Sequence, residues 1–554
     1  LPVFYPGNRK LLPVRLGGQT FSGCWRKSMS NCVRLMIAII FCGLSVVELA
    51  AEVRLAEVFG DHMVLQRERP VAIWGWAAPG EQVTVQFAGQ SHQATGDETG
   101  KWLVRLAPLE ASVESRQLLV RGTNQLELQD VLVGDVWLCG GQSNMEWPLA
   151  ACDAAADIAA ADFPLIRHFG VAHNFASTPQ LDVKGNWQVC TPQHAPGFTA
   201  VGFYFARKVH QEAGIPIGLL RSCVGGTNIE CWMSQETLLG TPELEPYARI
   251  MRESLAGYQQ ELAAALPSIE QWVRESRQAE AAGQAFPLPP SWPEFPFGER
   301  RHRPRCVTLH NGMIAPLVPL AIRGVIWYQG ESNAGGPGDC EQYIAKKRAM
   351  LADWRNWFGD PELPFYFVQL ATFQRSPDDP AGGDGWALFR DAQRRCLEIP
   401  HTGMASALDI GDADDIHPKN KFDVGERLAR WALRNQYHQQ VEVSGPLFDE
   451  LTLSGKEVRV TFTHAGPGLV AGQKSGREPF RATPEQPLAG FAIAGEDRVW
   501  HWAEARIEGE AVVCSHPDVP QPKAVRYAYR MNPGKANLYN QAGLPASPFR
   551  TDKW

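Results

Sequence analysis

Apolar and polar positions recur with two different periods along this chain. Between residues 52 and 130 they alternate with period two, at 71–76, 82–87, 102–106 and 126–128. Turn signals part these runs at Ala78-Pro-Gly80, Gly96-Asp97 and Arg121-Gly-Thr-Asn124. Short strands at that spacing predict a small β-sandwich over residues 52–130. From 131 onward the pattern changes. Continuous apolar runs at 133–139, 165–171, 215–223, 322–329, 364–371 and 403–409 are separated by helical periodicity, clearest at 198–213, 341–357 and 421–437. Strands separated by helices predict parallel βαβ units, and so an α/β domain of three layers (α/β/α) over residues 131–438. A stretch at about 241–304 interrupts it: 241–285 has helical spacing, and the prolines of 286–298 forbid both helix and central strand. After 438 period two returns at 457–463, 488–494 and 525–529, which predicts a β-rich carboxyl-terminal segment over 439–554.

Residues 1–51 do not share either period. Arg34 precedes the 13-residue apolar run Leu35–Val47, followed by the small pair Ala50-Ala51. A positive residue, an apolar run too short for a bilayer and small residues after it describe a secretory signal peptide, with Met29 as its start. An exported protein, periplasmic or extracellular, is therefore expected, with no membrane association once the leader is removed.

Composition narrows the function classes. A net charge of −7 spread over 554 residues, without basic or acidic blocks, gives no reason to expect nucleic acid or an anionic membrane as partner. Twelve cysteines become nine when Cys24, Cys32 and Cys42 leave with the leader, an odd number that requires at least one free thiol. No C-x-x-C pair occurs, which speaks against a zinc ribbon or redox site. Nothing resembles a metal, nucleotide or flavin site, so no cofactor is expected. Eighteen tryptophans could offer flat platforms to sugars, although core packing accounts for most.

Four stretches fall at predicted carboxyl ends of strands, on one edge of one sheet, where open α/β sheets place their ligands. They are Gly140-Gly-Gln-Ser-Asn144, Arg221 to Trp232, Trp327 to Asn333, and Asp409 to Lys421. Ser143 follows a strand and a glycine turn, the position of an exposed nucleophile. Its hydroxyl needs a base, for which His417 is the candidate, and the imidazole needs a carboxylate on its other nitrogen. Asp414 and Asp415 are near enough in sequence. Oxyanion donors would be the backbone N–H groups of Ser143 and Gly226 and the side-chain amide of Asn333. Gln142, Trp232 and Gln329, beside the same stretches, are the expected substrate contacts.

The blocks Gly141-Gln-Ser-Asn-Met, Gly225-Gly-Thr, Trp327-Tyr-Gln-Gly-Glu-Ser-Asn and Asp415-Ile-His-Pro resemble, in order, those of the SGNH hydrolase superfamily. Within it the chain looks like the sialate O-acetylesterase family, related to carbohydrate esterases acting on acetylated xylan. The similarity runs from about residue 55 to the end, including Asn537-Leu-Tyr-Asn540. It implies a serine esterase acting on O-acetylated sugars, with Ser143, Gly226, Asn333 and His417 in the four named roles. The usual superfamily acid lies three residues before the histidine, which is Asp414. Relatives of this kind are typified by one two before it, Asp415, and Glu331 is a third candidate. Spacing favours Asp414. Two other classes fit less well. An α/β-hydrolase would show G-x-S-x-G, but position 145 is Met. A non-catalytic sugar-binding protein would have no need of serine, histidine and acid together.

Overall fold

The computed structural model describes residues 52–297 and 306–554, so the expected leader and residues 298–305 lie outside the described residues. The site is carried by strands β1 (Gln125–Gly141), β2 (Phe163–Gly170), β3 (Trp187–Cys190), β4 (Ile217–Cys223), β5 (Gly324–Tyr328), β6 (Phe365–Gln369) and β7 (Thr402–Ser406). Their order across the sheet is β3-β2-β4-β1-β5-β6-β7. All neighbours are parallel except the edge strand β3, which runs antiparallel to β2. A central parallel strand is covered on both faces, which is why 133–139 reads as an unbroken apolar run rather than an alternation.

β1 itself carries both periods. Its first residues, 125–130, alternate between exposed and half-buried, and everything from 131 to 141 is buried. The change of period at 130/131 thus marks where one 17-residue strand enters the protein interior, not where a strand ends. The expected separate sandwich differs accordingly. Residues 54–55, 71–76 and 101–106 form a small sheet of their own, whereas 64–66 and 112–121 pair onto β1 and 82–87 and 90–95 extend that same sheet.

A buried carboxylate locks this junction. Asp135 on β1 accepts hydrogen bonds from Gln66 (2.8 Å), Arg67 (3.1 Å), Arg323 (2.8 Å) and Tyr437 (2.8 Å). Unpaired, such a charge would cost several kcal/mol to bury; here four groups from three separate segments satisfy it.

Five helices bear on the site or its support: α1 (Ala200–Ala213), α2 (Glu245–Ala282), α3 (Pro337–Trp357), α4 (Gly385–Arg395) and α5 (Lys421–Gln436). α1 packs on α5, and α3 on α4. The α1–α5 crossing is close at Gly425, where an added Cβ would lie 2.6 Å from the Tyr204 Cβ. α5 begins where Asn420 accepts a hydrogen bond from the Asp423 N–H (3.1 Å), an N-cap that stops the preceding loop at a defined point. α2 is the helical part of the predicted interruption, and the proline-rich return lies back on it through Trp272 Nε1 to the Pro287 carbonyl (2.9 Å). The carboxyl-terminal strands gather around Val460, Ile493, Val525, Leu538 and Phe549. One of their loops reaches the start of α5, with Lys474 on Asp423 at 2.7 Å.

Candidate active site

β1, β4 and β5 end in register. Gly141 is the pairing partner of both Cys223 and Tyr328, the last residues of the two flanking strands. Three of the four sequence blocks therefore leave the sheet side by side. Gly141 makes the turn: its φ of +132° is a region L-residues avoid, and a Cβ there would sit 2.1 Å from the Tyr328 carbonyl oxygen. Ser143 follows at the head of a single helical turn, Ser143–Glu146.

The fourth block crosses from β7, the edge strand, back over this turn. Asp409 anchors its start by a bidentate pair with Arg427 of α5, at 2.6 and 2.8 Å. At its far end His417 Nε2 stands 2.9 Å from Ser143 Oγ. Trp147 stacks on the His417 ring at 4.4 Å between centroids and 13° between planes. A hydroxyl within hydrogen-bond reach of an imidazole can pass its proton there, which is the requirement for an oxygen nucleophile.

The three candidate acids are placed differently. Asp415 lies 3.7 Å from His417 Nδ1 and accepts the His417 backbone N–H at 2.8 Å. Asp414 is 79% exposed and faces Arg375 at 3.8 Å. This corrects the spacing argument: Asp415 forms a tight turn back onto the His417 backbone, and that turn directs Asp414 outward. Glu331 is half-buried and accepts from Asn144 Nδ2 at 2.5 Å. Burial pushes its carboxyl above the usual range despite Asn144 and Lys421. Burial and the Lys421 ammonium hold His417 below the ordinary imidazole value, with Asp415 pulling the other way.

Among the described residues, neither the backbone N–H of Ser143 nor that of Gly226 has a protein acceptor. The Gly225 N–H does: it donates to Glu146 at 2.8 Å. Asn333 is less free than expected. It is 2% exposed, its carbonyl accepts from the Ile229 N–H (2.9 Å) and Gln329 (2.7 Å), and its Nδ2 donates to Glu230 (3.0 Å).

The expected substrate contacts are corrected as well, because Gln142, Gln329 and Trp232 are all buried. Gln142 accepts from the Gly330 and Ser332 N–H groups, Gln329 donates to the Thr227 carbonyl, and Trp232 donates to Thr227 Oγ1. Strand-end loops this crowded leave backbone groups out of water, and these side chains satisfy them. They brace the three loops against one another.

Several residues at the site had no role in the sequence reading. Glu146, one helical turn after Ser143, pairs with His173 at 2.8 Å. Against burial, His173 holds the Glu146 carboxyl low, and Glu146 in turn raises His173. Asn144 and Lys421 bond beneath His417, with Lys421 Nζ to Asn144 Oδ1 at 2.6 Å. Spacing offered no signal for this pairing, because His417 lies in irregular chain and the helix begins only at Lys421. Outside the site, His501, on a strand, and His516 and Asp518, in the loop after another, bring ligand atoms within 4.8 Å of one another, and their separation in sequence conceals the grouping. Of the nine cysteines among the described residues eight are buried, including Cys139, Cys223 and Cys231, and Cys152 is half-buried.

The chain is similar to known proteins over these stretches. The model of a carbohydrate esterase family, the sialic acid-specific acetylesterases, matches residues 133–267 and 307–434, the stretches that hold all four blocks. A sialate O-acetylesterase of Mus musculus is 31% identical over 74% of this chain and 79% of its own length. The Homo sapiens sialate O-acetylesterase is 29% identical over 74% of this chain and 76% of its own. A solved carbohydrate acetylesterase from Xanthomonas citri is 35% identical, covers 91% of this chain and 100% of its own, and superposes with a TM-score of 0.74. These likenesses leave no place for the non-catalytic alternative. The chain belongs to the sialic acid-specific acetylesterase family of carbohydrate esterases, and it is a carboxylic ester hydrolase.

Proposed function

We propose that this enzyme removes O-acetyl groups from sugars, acetylated sialic acids foremost, through an acetyl-enzyme formed on Ser143. The observation that carries the reading is the 2.9 Å contact between Ser143 Oγ and His417 Nε2 at the in-register ends of β1, β4 and β5. Ser143 attacks the acetyl carbonyl as His417 takes its proton. The tetrahedral oxyanion is met by the uncommitted N–H groups of Ser143 and Gly226. His417 then protonates the departing sugar oxygen, and a water activated by the same imidazole releases acetate. Asp415 favours the imidazolium that forms in both halves. The sugar preference follows the sialate O-acetylesterases to which the chain is similar. The strand order, with α1 on α5 and α3 on α4, supports an SGNH-type layering, and the leader pattern of residues 29–51 supports export.

Acetate release from acetylated sialic acids, compared with acetylated xylo-oligosaccharides, tests the substrate, with Ser143→Ala as control. Expected are faster turnover of the sialic acids and loss of activity in the variant by about 10⁴-fold or more. Faster turnover of the xylo-oligosaccharides overturns the substrate assignment. A Ser143→Ala variant within tenfold of wild type overturns the mechanism.

A further inference from the structure

The mechanism above uses the ring of His417 and leaves unexplained what holds that ring over Ser143. Its loop spans from β7 to α5, and the residue itself lies in irregular chain, with Asp412, Asp414 and Asp415 before it and Pro418 after it. Beneath it is a polar cluster with no part in the chemistry. Asn144, the residue after the nucleophile, donates to the Ile416 carbonyl at 3.0 Å. Lys421, the first residue of α5, donates to the Pro418 carbonyl at 2.6 Å and to Asn144 Oδ1 at 2.6 Å. The peptide carbonyls on either side of His417 are therefore gripped from below by two side chains that also grip each other. One belongs to the Ser143 turn and the other to α5.

We propose that Lys421 is a positioning residue of the esterase reaction: with Asn144 it clamps both neighbours of His417 to the Ser143 turn, and it keeps a positive charge under the general base.

Three features support a role beyond packing. Lys421 is fully buried, and a lysine is seldom buried without functional or structural need. A hydrogen-bonding neutral side chain could hold the two carbonyls; a cation adds an electrostatic effect on a group that must be neutral to start the reaction and charged to continue it. The groups facing the pair also define a balanced field. Around Lys421 lie Glu331, Asp415, the Cys152 thiol and the Tyr328 ring, and around His417 lie Ser143, Asp415, Trp147 and Lys421 itself. Asp415 draws His417 towards the imidazolium, and Lys421 opposes it. Burial lowers Lys421 to about 8, so it is mostly charged at neutral pH and beginning to lose its proton above it.

This inference rests on the serine–histidine reading, and its test separates the two. Lys421→Met removes the charge and the clamp, Lys421→Arg keeps the charge and alters the clamp, and Asn144→Ser removes the bond to Ile416 while keeping the lysine. Each is assayed on p-nitrophenyl acetate from pH 5 to 9, beside circular dichroism. For Lys421→Met, kcat should fall roughly 10- to 100-fold, the scale on which ~1 Å of misplacement acts, with little change in KM. The acid-side inflection of kcat/KM should rise by about half a pH unit or more as a like charge is removed. Lys421→Arg and Asn144→Ser should lose activity with the inflection near the wild-type position.

The imidazole is also titrated directly by NMR in Ser143→Ala and in Ser143→Ala combined with Lys421→Met, which needs no activity; Lys421→Gln replaces Met if that variant does not fold. An upward move of the His417 titration supports the proposal. An unmoved titration, an upward move equally large in Lys421→Arg, or full kcat in Lys421→Met overturns it. A wild-type enzyme whose kcat/KM shows no acid-side inflection, or an active Ser143→Ala, counts against the serine–histidine reading itself.

Discussion

Replacing Asp415 by Asn isolates the charge beside His417. Asparagine keeps an oxygen to accept the His417 backbone N–H, so the 2.8 Å turn contact survives and only the carboxylate charge is lost. That charge stands 3.7 Å from Nδ1, longer than a hydrogen bond, so its contribution is chiefly Coulombic. At that separation two unit charges interact by about 1 kcal/mol in bulk water and about 4–5 kcal/mol at an effective dielectric of ~20. The Asp415 side chain is 43% exposed, which places the interaction near the screened end. A loss of roughly 1–2 kcal/mol of imidazolium stabilisation follows, or about 5- to 30-fold in kcat/KM. That is far below the ~10⁴-fold cost of removing a buried carboxylate hydrogen-bonded to a catalytic imidazole. Asp414→Asn, changing a carboxylate that faces solvent and Arg375, should stay within about twofold, the scale of a surface charge change. Steady-state hydrolysis of p-nitrophenyl acetate at pH 7.5 measures both. The reasoning fails if Asp414→Asn is the more damaging substitution, or if Asp415→Asn is indistinguishable from wild type. A loss near 10⁴-fold would mean that the 3.7 Å gap closes to a buried hydrogen bond once substrate binds.

The acid limb of the wild-type profile should have its inflection below ~6.5, because burial and Lys421 outweigh Asp415 at His417. A rate-determining inflection above that value in kcat/KM would refute the balance. Asp415→Asn should move the same inflection to lower pH, since the group removed is the one that raises His417; an upward move would contradict the sign. Glu146→Gln keeps an acceptor for the Gly225 N–H but removes the charge that raises His173, so the His173 titration followed by NMR should fall. An unchanged His173 would show that Glu146 does not set its protonation.

Positions were legible in the sequence where one physical requirement dominates a stretch. Burial on both faces leaves a continuous apolar run, so the runs 215–223 and 364–371 fall within two residues of β4 and β6, while 133–139 marks only the buried part of β1. Amphipathic spacing gave α1, α3 and α5 for the same reason. Residues 90–95 and 112–121 were missed as strands because they are mostly polar and mostly out of the core, so that pairing rather than burial holds most of their length. The boundary drawn at 130 confused a change of environment with a change of element: β1 passes from a half-solvated sheet into a buried one without breaking.

The site was legible as far as its residues are consecutive with a strand end. Ser143 and His417 stood out because glycine turns and short polar blocks follow apolar runs, and the structure brings the two together at 2.9 Å. What could not be read was which polar groups face substrate and which face one another. Gln142, Gln329 and Asn333 have the chemistry of substrate ligands, yet three loops leaving adjacent strands in register crowd their backbones out of water. Those side chains are consumed in repairing the loss. The choice between Asp414 and Asp415 failed for a related reason. Adjacent side chains on a turn point in different directions, and the direction is set by a backbone contact, His417 N–H to Asp415, that spacing alone does not encode. Lys421 shows the converse. Four residues after His417 and at the start of a helix, it reads as an ordinary surface cation. Only the return of the loop over the Ser143 turn buries it against Asn144 and brings its charge to bear on His417.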